Sequence, residues 1–338
     1  MTGFATVAAF EAALGALPAI DPDAAAAARA RQARLTKPAG SLGRLEDIAV
    51  FLAGWQGRAL PAIDRARVAI FAGNHGVTAH GVSAFPPEVT VQMVANFERG
   101  GAAINALAGA AGLELAVVPL DLDRPTADFT IAPAMDAYEC LAALSAGAAV
   151  VEPGLDLLVL GEMGIGNSTA AAALCARGFG GSAADWVGPG TGVDDAGIAR
   201  KRVVVDRAIA FHAAAPLTPF ETLRRVGGRE IAAIAGAVLA ARMARVPVIL
   251  DGFICCSAVA PLAAMTGAIT DHCLAGHCSA EPGHRRLLDR LGLDPLLALG
   301  MRLGEGSGAA VATAIVRAAL AAHGGMATFA EAGVSDAG

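Results

Sequence analysis

Aromatic residues make up only 4% of this 338-residue chain, with 2 Trp, 1 Tyr and 12 Phe. Aliphatic side chains and Ala dominate instead, which suits helices packed closely on a sheet better than a β-sandwich. No run of Lys or Arg occurs, the net charge is −6 and the pI is near 5.6. Duplex nucleic acid and anionic membrane surfaces are therefore excluded as expected partners. A small anionic substrate, held by a few local donors, is not. Mean hydropathy is high, +0.55, yet no apolar stretch reaches the roughly 18 uninterrupted residues of a membrane span. The run from Ile231 to Ala241, for example, stops at Arg242. The apolar stretches read as buried helices and strands. The first twenty residues carry Glu11 and no basic cluster, so they do not read as a secretory signal. Cys140, Cys175, Cys255, Cys256, Cys273 and Cys278 show no disulfide-framework spacing, which suits a reducing compartment and a cytoplasmic location. No tandem repeat, heptad pattern or low-complexity tract is found.

What is present is an alternation. The N-terminal stretch to about Arg34 is Ala-rich and helical in pattern, with Asp21-Pro22-Asp23 a helix start. Lys37 to Gly43, punctuated by Pro and two Gly, is a loop. Short aliphatic runs then recur, each ending in a polar, Gly-rich element. Val68–Ala72 runs into Gly73-Asn74-His75-Gly76, and Leu155–Leu160 into Gly161 to Thr169. Val246–Leu250 runs into Asp251-Gly252-Phe253 and, less clearly, Ile269–Ala275 into Gly276 to Ser279. Ala-rich helical segments separate them, such as Met135 to Val151, Ala170 to Arg177 and Gly228 to Ala244. Strands alternating with helices predict a mostly parallel sheet covered on both faces. In such sheets ligands bind beyond the carboxyl ends of the strands, where all these polar elements fall. That coincidence points to an enzyme.

Gly161 to Thr169 is the most informative segment. Glycines after a buried strand let backbone amides approach a phosphate, and a following helix N-terminus favours negative charge. The stretch nearly spells a P-loop, but Asn167 stands where the phosphate-binding Lys belongs, which disfavours ATP hydrolysis. It also nearly spells a dinucleotide fingerprint, with Thr169 in place of the third Gly. A monophosphate cradle fits what remains; the bland alternative is a tight turn capped by Asn167 or Ser168. Gly188-Pro189-Gly190-Thr191-Gly192, followed by Asp194-Asp195, is a second Gly-rich turn opening a helix. Lys201 lies about two turns inside it, where an isolated Lys reads as part of a solvated face.

Leu303-Gly304-Glu305-Gly306-Ser307-Gly308 sets one carboxylate between glycines just before the last helix, roughly Gly308 to His323. Such a residue can serve as a general base or as an acid stabilised by the helix dipole, and its pattern leaves both open. Burial raises its pKa and the dipole lowers it. His272, Cys273, His277, Cys278 and His284 match no standard zinc spacing, and no metal is expected. Vicinal Cys255 and Cys256 read as small buried residues. His75 reads as a structural hydrogen-bonder or as a possible acid or base.

These segments together resemble one family, the nicotinate-nucleotide–dimethylbenzimidazole phosphoribosyltransferases of cobalamin lower-ligand synthesis. The matching stretches are Lys37 to Glu46, Ala72 to Val77, Gly161 to Asn167, Gly190 to Gly192 with Lys201, Leu250 to Phe253, His277 to His284, Leu303 to Gly306 and Thr328 to Val334. They run collinearly over nearly the whole chain. The resemblance implies transfer of the 5-phosphoribosyl group of nicotinate mononucleotide to 5,6-dimethylbenzimidazole, giving α-ribazole 5′-phosphate and nicotinate. It implies Glu305 as the base that removes the azole proton. Glu162, Gly164, Ile165, Gly166, Asn167, Lys201, Asp251 and Ser279 would line the nucleotide site. Ser83, Phe85, Gln92, Met93 and Leu303 would border the benzimidazole. It also implies a homodimer.

The acceptor signature of diphosphate-using phosphoribosyltransferases, two acids followed by Thr-Gly-x-Thr, is absent, since Asp194-Asp195 follow the Gly-Thr-Gly. A mononucleotide donor without obligatory magnesium, and no cofactor, is the expectation. The expected fold is α/β, a Rossmann-like mostly parallel sheet flanked by helices. Residues 61–307 would form the large catalytic domain. Residues 1–60 with about 308–338 would form a small helical subdomain. The competing functions are a ribosyl hydrolase, a transferase acting on another azole or purine, and a non-catalytic nucleotide-binding regulator, which would have no need of Glu305.

Overall fold

Strand β1 (Ala66–Ala72) is buried at every position, as a strand covered on both faces must be. Its side chains alternate between two cores. Val68 and Ile70 enter one, while Ala69 and Phe71 enter the other, the period of two that a pleated strand imposes. The computed structural model describes residues 3–335; the outermost residues of the expected terminal subdomain, 1–2 and 336–338, lie outside the described residues. The remaining strands are β2 (Glu114–Pro119), β3 (Leu157–Met163), β4 (Val248–Leu250), β5 (Cys273–His277) and β6 (Pro295–Leu297). They form one sheet in the order β2-β1-β3-β4-β5-β6, and every neighbouring pair is parallel. The α/β architecture with a parallel sheet is as expected from the alternation of runs.

In chain order the helices are α1 (Val7–Leu14), α2 (Pro22–Gln32), α3 (Arg44–Gln56), α4 (Glu88–Glu98), α5 (Ala103–Ala111), α6 (Ala137–Ala149), α7 (Asn167–Phe179) and α8 (Ala183–Trp186). They continue with α9 (Asp195–Phe211), α10 (Pro219–Val226), α11 (Arg229–Met243), α12 (Phe253–Met265), α13 (Pro282–Leu291), α14 (Ser307–Gly325) and α15 (Phe329–Ala332). One face of the sheet is covered by α3, α5 and α14 through Ile48, Leu52, Ile104, Ala108, Ala312 and Val316. The other is covered by α6, α7, α11 and α12 through residues such as Leu144, Leu174, Ile234 and Val259. Small side chains set the spacing of that second layer. A Cβ at Gly147 of α6 would fall 1.7 Å from the carbonyl oxygen of Ala233 in α11, so only glycine allows the two helices their approach. Among the described residues no helix is long and apolar enough to cross a membrane.

The chain termini meet. Arg31 of α2 donates to the carbonyls of His323, Gly324 and Met326, and Gln32 bonds to His323. Helix α14 lies on the sheet as well as on α3 and α5. Three features depart from the sequence reading. Strand β3 runs on through Gly161 and Glu162, so these two belong to the strand and not to the turn. The run from Ile269 splits into a 3-10 turn, Gly267–Thr270, and strand β5. Strands β2 and β6 had no clear run: β2 is a half-exposed edge and β6 has 3 residues.

Candidate active site

The strand order reverses between β1 and β3, since β2 lies on one side of β1 and β3 on the other. Beyond the carboxyl ends at such a point the connecting loops diverge and leave a crevice. Here a cleft opens there, where small-molecule sites of open α/β sheets are found. Its walls come from the ends of β3 and β5, the turn before α7, the turn before α9, the start of α12 and the loop before α14. Ser83, Glu162, Gly164, Ile165, Gly166, Asn167, Ser279 and Leu303, all named from the sequence, line it.

Helix α7 starts at the cleft. Its N-cap is Gly166, in the left-handed region at φ 91°, and no side chain caps it. The amides of Asn167 and Thr169 turn back to the carbonyls of Gly164 and Gly166, at 3.1 Å each. The Ser168 amide between them is left for a ligand, and the helix dipole favours an anion there. Asn167 does not cap the helix either; its side-chain amide donates to the Glu162 carboxylate. The amide of Ile165 is occupied, donating to Thr90 Oγ1 at 3.1 Å. Gly190 and Thr191 line the cleft beside this turn, a Cβ at Gly190 falling 2.8 Å from Ser168 Oγ. The Gly190 amide donates to Glu281 Oε1 at 2.8 Å.

Lys201 corrects the reading of its helix as a solvated face. It is 1% exposed, and its ammonium donates to Ser168 Oγ at 3.0 Å and to the Gly188 carbonyl at 2.8 Å. It lies behind the turn, one layer below the cleft wall. Burial lowers its pKa to about 8, with the Glu281 charge opposing. The Glu281 carboxyl is itself raised by burial, against the charges of Lys201 and Arg302 and the Gly190 hydrogen bond. Glu281 and Arg302 both line the cleft, and the sequence reading passed over them. Each sits in or beside a quoted stretch, and the signal was an ionisable group next to a Gly-rich turn.

Three carboxylates gather near the Gly304 end of the cleft, of which Glu162 lines it and Glu305 and Asp251 lie behind the wall. Glu305 has φ 61° between Gly304 at 81° and Gly306 at 74°, three successive left-handed residues. It is buried, and that burial raises its pKa. The dipole reading, which required a lowered value, loses to desolvation. Glu162 is pushed up to about 8 by burial, helped by the charges of Glu230, Asp251 and Glu305 and opposed by Asn167. Asp251 is raised to about 7, again chiefly by burial and against its amide hydrogen bonds. Its oxygens accept from the amides of Gly306 at 3.1 Å and Ala309 at 2.9 Å. Asp251 therefore faces the start of α14 and is not part of the cleft wall.

The acceptor-side residues are dispersed. Ser83 lines the cleft, its Oγ accepting from the Phe85 amide at 3.2 Å. Phe85 and Gln92 are exposed, and Met93 is half-buried against the core under α4. These last three do not line the cleft. His75 makes a fully buried 2.6 Å pair with Glu230, as a structural hydrogen-bonder does. His272 bonds to the Val238 carbonyl, and His284 to Ser279 and Cys256. Among the described residues no three of His, Cys, Asp and Glu are grouped as a metal site.

A phosphoribosyltransferase family matches residues 17–334. The nicotinate-nucleotide–dimethylbenzimidazole phosphoribosyltransferase of Novosphingobium aromaticivorans is 76% identical over 336 residues, 99% of each chain. The enzyme of the same name from Ruegeria pomeroyi is 61% identical over 323 residues, 96% of each chain. The crystal structure of the Thermus thermophilus enzyme of that name superposes with a TM-score of 0.87 at 44% identity. The match covers 94% of this chain and 100% of that one.

Proposed function

The chain belongs to the nicotinate-nucleotide–dimethylbenzimidazole phosphoribosyltransferase family, and on that premise we propose the residue roles by which its cleft carries the reaction. The enzyme transfers the phosphoribosyl group of nicotinate mononucleotide to dimethylbenzimidazole, in the assembly of the cobalamin lower ligand. In our reading the 5′-phosphate sits at the N-terminus of α7 and against Gly190 and Thr191. Lys201 supplies positive charge from below, through Ser168, and Arg302 supplies it at the rim. Ser279 and the stretch from Glu162 to Asn167 hold the nucleotide.

The acceptor lies on the Ser83 and Leu303 side, where exposed Phe85 is free to pack on an aromatic ring. One azole nitrogen attacks C1′ as the bond to the pyridinium nitrogen breaks, and its electron pair neutralises the departing nicotinate. Attack opposite the leaving ring gives the α product. Glu305 takes the proton lost from the other azole nitrogen. No leaving-group acid is needed, because the nicotinate is already cationic on the ribose.

The observation that carries this assignment is Glu305. It is a buried carboxylate of raised pKa, fixed between two left-handed glycines one residue inside the cleft wall. Raising the pKa of a carboxylate makes it a stronger base. A non-catalytic nucleotide binder has no use for it. Nicotinate release from nicotinate mononucleotide, followed with and without added azole, tests the reading. Turnover only with azole present supports it; release into water at the same rate would make the enzyme a hydrolase.

We also propose a cytoplasmic homodimer. Support for the dimer comes from the exposed apolar side chains Val203 and Phe211 of α9, and for the compartment from six free cysteines. A sedimentation mass of one chain at micromolar concentration would refute the dimer.

A further inference from the structure

We propose that Asp251 is a positioning residue: its carboxylate, bonded to the first amides of α14, holds Glu305 at the cleft. The inference rests on the reading of Glu305 as the base. Asp251 directly follows strand β4 and is 1% exposed. One of its oxygens accepts from Gly306, the residue directly after Glu305, and the other from Ala309. Those amides belong to the start of α14, whose N-cap Gly306 carries no side-chain cap of its own. A carboxylate supplied from another strand thus does what a local cap does elsewhere.

Glu305 has particular need of such support. A non-glycine residue at φ 61° is strained and persists only where its surroundings over-determine it. Behind Glu305 lies Gly161 of β3. A Cβ built there would sit 2.5 Å from the Gly306 nitrogen and 2.7 Å from the Glu305 carbonyl carbon. The backbone of Glu305 is therefore pressed onto the sheet on one side and anchored through Gly306 by Asp251. The Asp251 carboxylate does not reach the cleft wall, so it acts through the backbone and not on a substrate.

The test is steady-state kinetics of Asp251→Asn and Asp251→Ala with nicotinate mononucleotide and a series of benzimidazoles of increasing N–H acidity. Asn keeps one acceptor but turns an NH2 toward the second amide; Ala keeps neither. A base displaced by about 1 Å lowers kcat by roughly 10²-fold, so Asn is expected to lose about that much and Ala more. The KM for nicotinate mononucleotide should stay within about twofold, since uniform binding is untouched. The loss should shrink as the azole becomes more acidic, because a more acidic proton depends less on a well-placed base.

Several results overturn the proposal. They are wild-type kcat in Asn, an equal loss with every azole, a rise in nucleotide KM as the main effect, or failure of both variants to fold. Glu305→Gln measured alongside separates the two levels. If that variant is fully active the base reading itself falls. If it is inactive while Asp251→Asn is normal, only the positioning role falls.

Discussion

Replacing Gly161 by Ala adds one methyl group to the middle of a strand, and its consequence follows from three distances. The new carbon would lie 2.5 Å from the Gly306 nitrogen, 2.5 Å from Ile70 Cδ1 and 2.7 Å from the Glu305 carbonyl carbon. Ile70 is the far end of a side chain and can rotate. The other two atoms are backbone, tied by the Asp251 hydrogen bonds. Ordinary carbon contacts begin near about 3.5 Å, so the Glu305 segment must move by roughly 1 Å. Overpacking of this kind costs about 1–3 kcal/mol of stability, and a 1 Å misplacement of a catalytic group costs roughly 10²-fold in rate. We expect Gly161→Ala to fold with a lowered unfolding midpoint, to keep its KM for nicotinate mononucleotide and to lose about 10²-fold in kcat. Gly109→Ala is the control: nothing lies within 4 Å of a Cβ there, and in the last turn of α5 it should stabilise by at most about 0.5–1 kcal/mol without touching kcat. Full kcat in Gly161→Ala would refute the claim that the Glu305 backbone is held against β3.

Three further outcomes follow from the titrating groups. Because burial raises the Glu305 pKa and only the carboxylate is a base, kcat/KM should fall with decreasing pH through an acid limb above 4.5. A limb at an ordinary carboxylate value contradicts this. Glu162 binds its proton more tightly folded than unfolded, with about 8 against an ordinary 4.5. Its contribution to stability is thus complete below pH 4.5 and is lost as pH rises toward 8. Urea unfolding midpoints of wild type should decline across that window. Glu162→Gln should flatten the decline, leaving a residue of slope from Asp251, which is raised to about 7. Lys201→Met removes a buried ammonium with two charge-assisted hydrogen bonds, worth about 1.5–3 kcal/mol each. It should raise the KM for nicotinate mononucleotide by roughly 10-fold or more, whereas an unchanged KM would take Lys201 out of phosphate binding.

The sheet and the cleft were legible because their signals are local. Val68 to Ala72 is a buried strand whatever surrounds it, and Gly164-Ile165-Gly166 after a strand permits few other conformations. What was not legible depends on distant contacts. Spacing alone placed Lys201 on a solvated face, since nothing near it in the chain announces that Ser168 and Gly188 will surround its ammonium. Asp251 read as a wall of the nucleotide site, because its capping partners lie 55 and 58 residues later in the chain. For Glu305 the glycines signalled unusual backbone, but the contest between dipole and burial needed the packing to decide it. Phe85, Gln92 and Met93 came from a loop and helix start with weak local register, and they stand away from the cleft wall. The family resemblance supplied their names; it did not supply their positions.

The central claim is that Glu305 takes the azole proton during transfer. Chromatography of wild type and Glu305→Gln with nicotinate mononucleotide and dimethylbenzimidazole tests it most directly. Gln preserves size, so folding and nucleotide binding should persist. We predict that wild type releases nicotinate with an α-ribazole phosphate, and that the variant does so about 10²–10⁴-fold more slowly. Equal rates would contradict the claim and move the base elsewhere in the cleft.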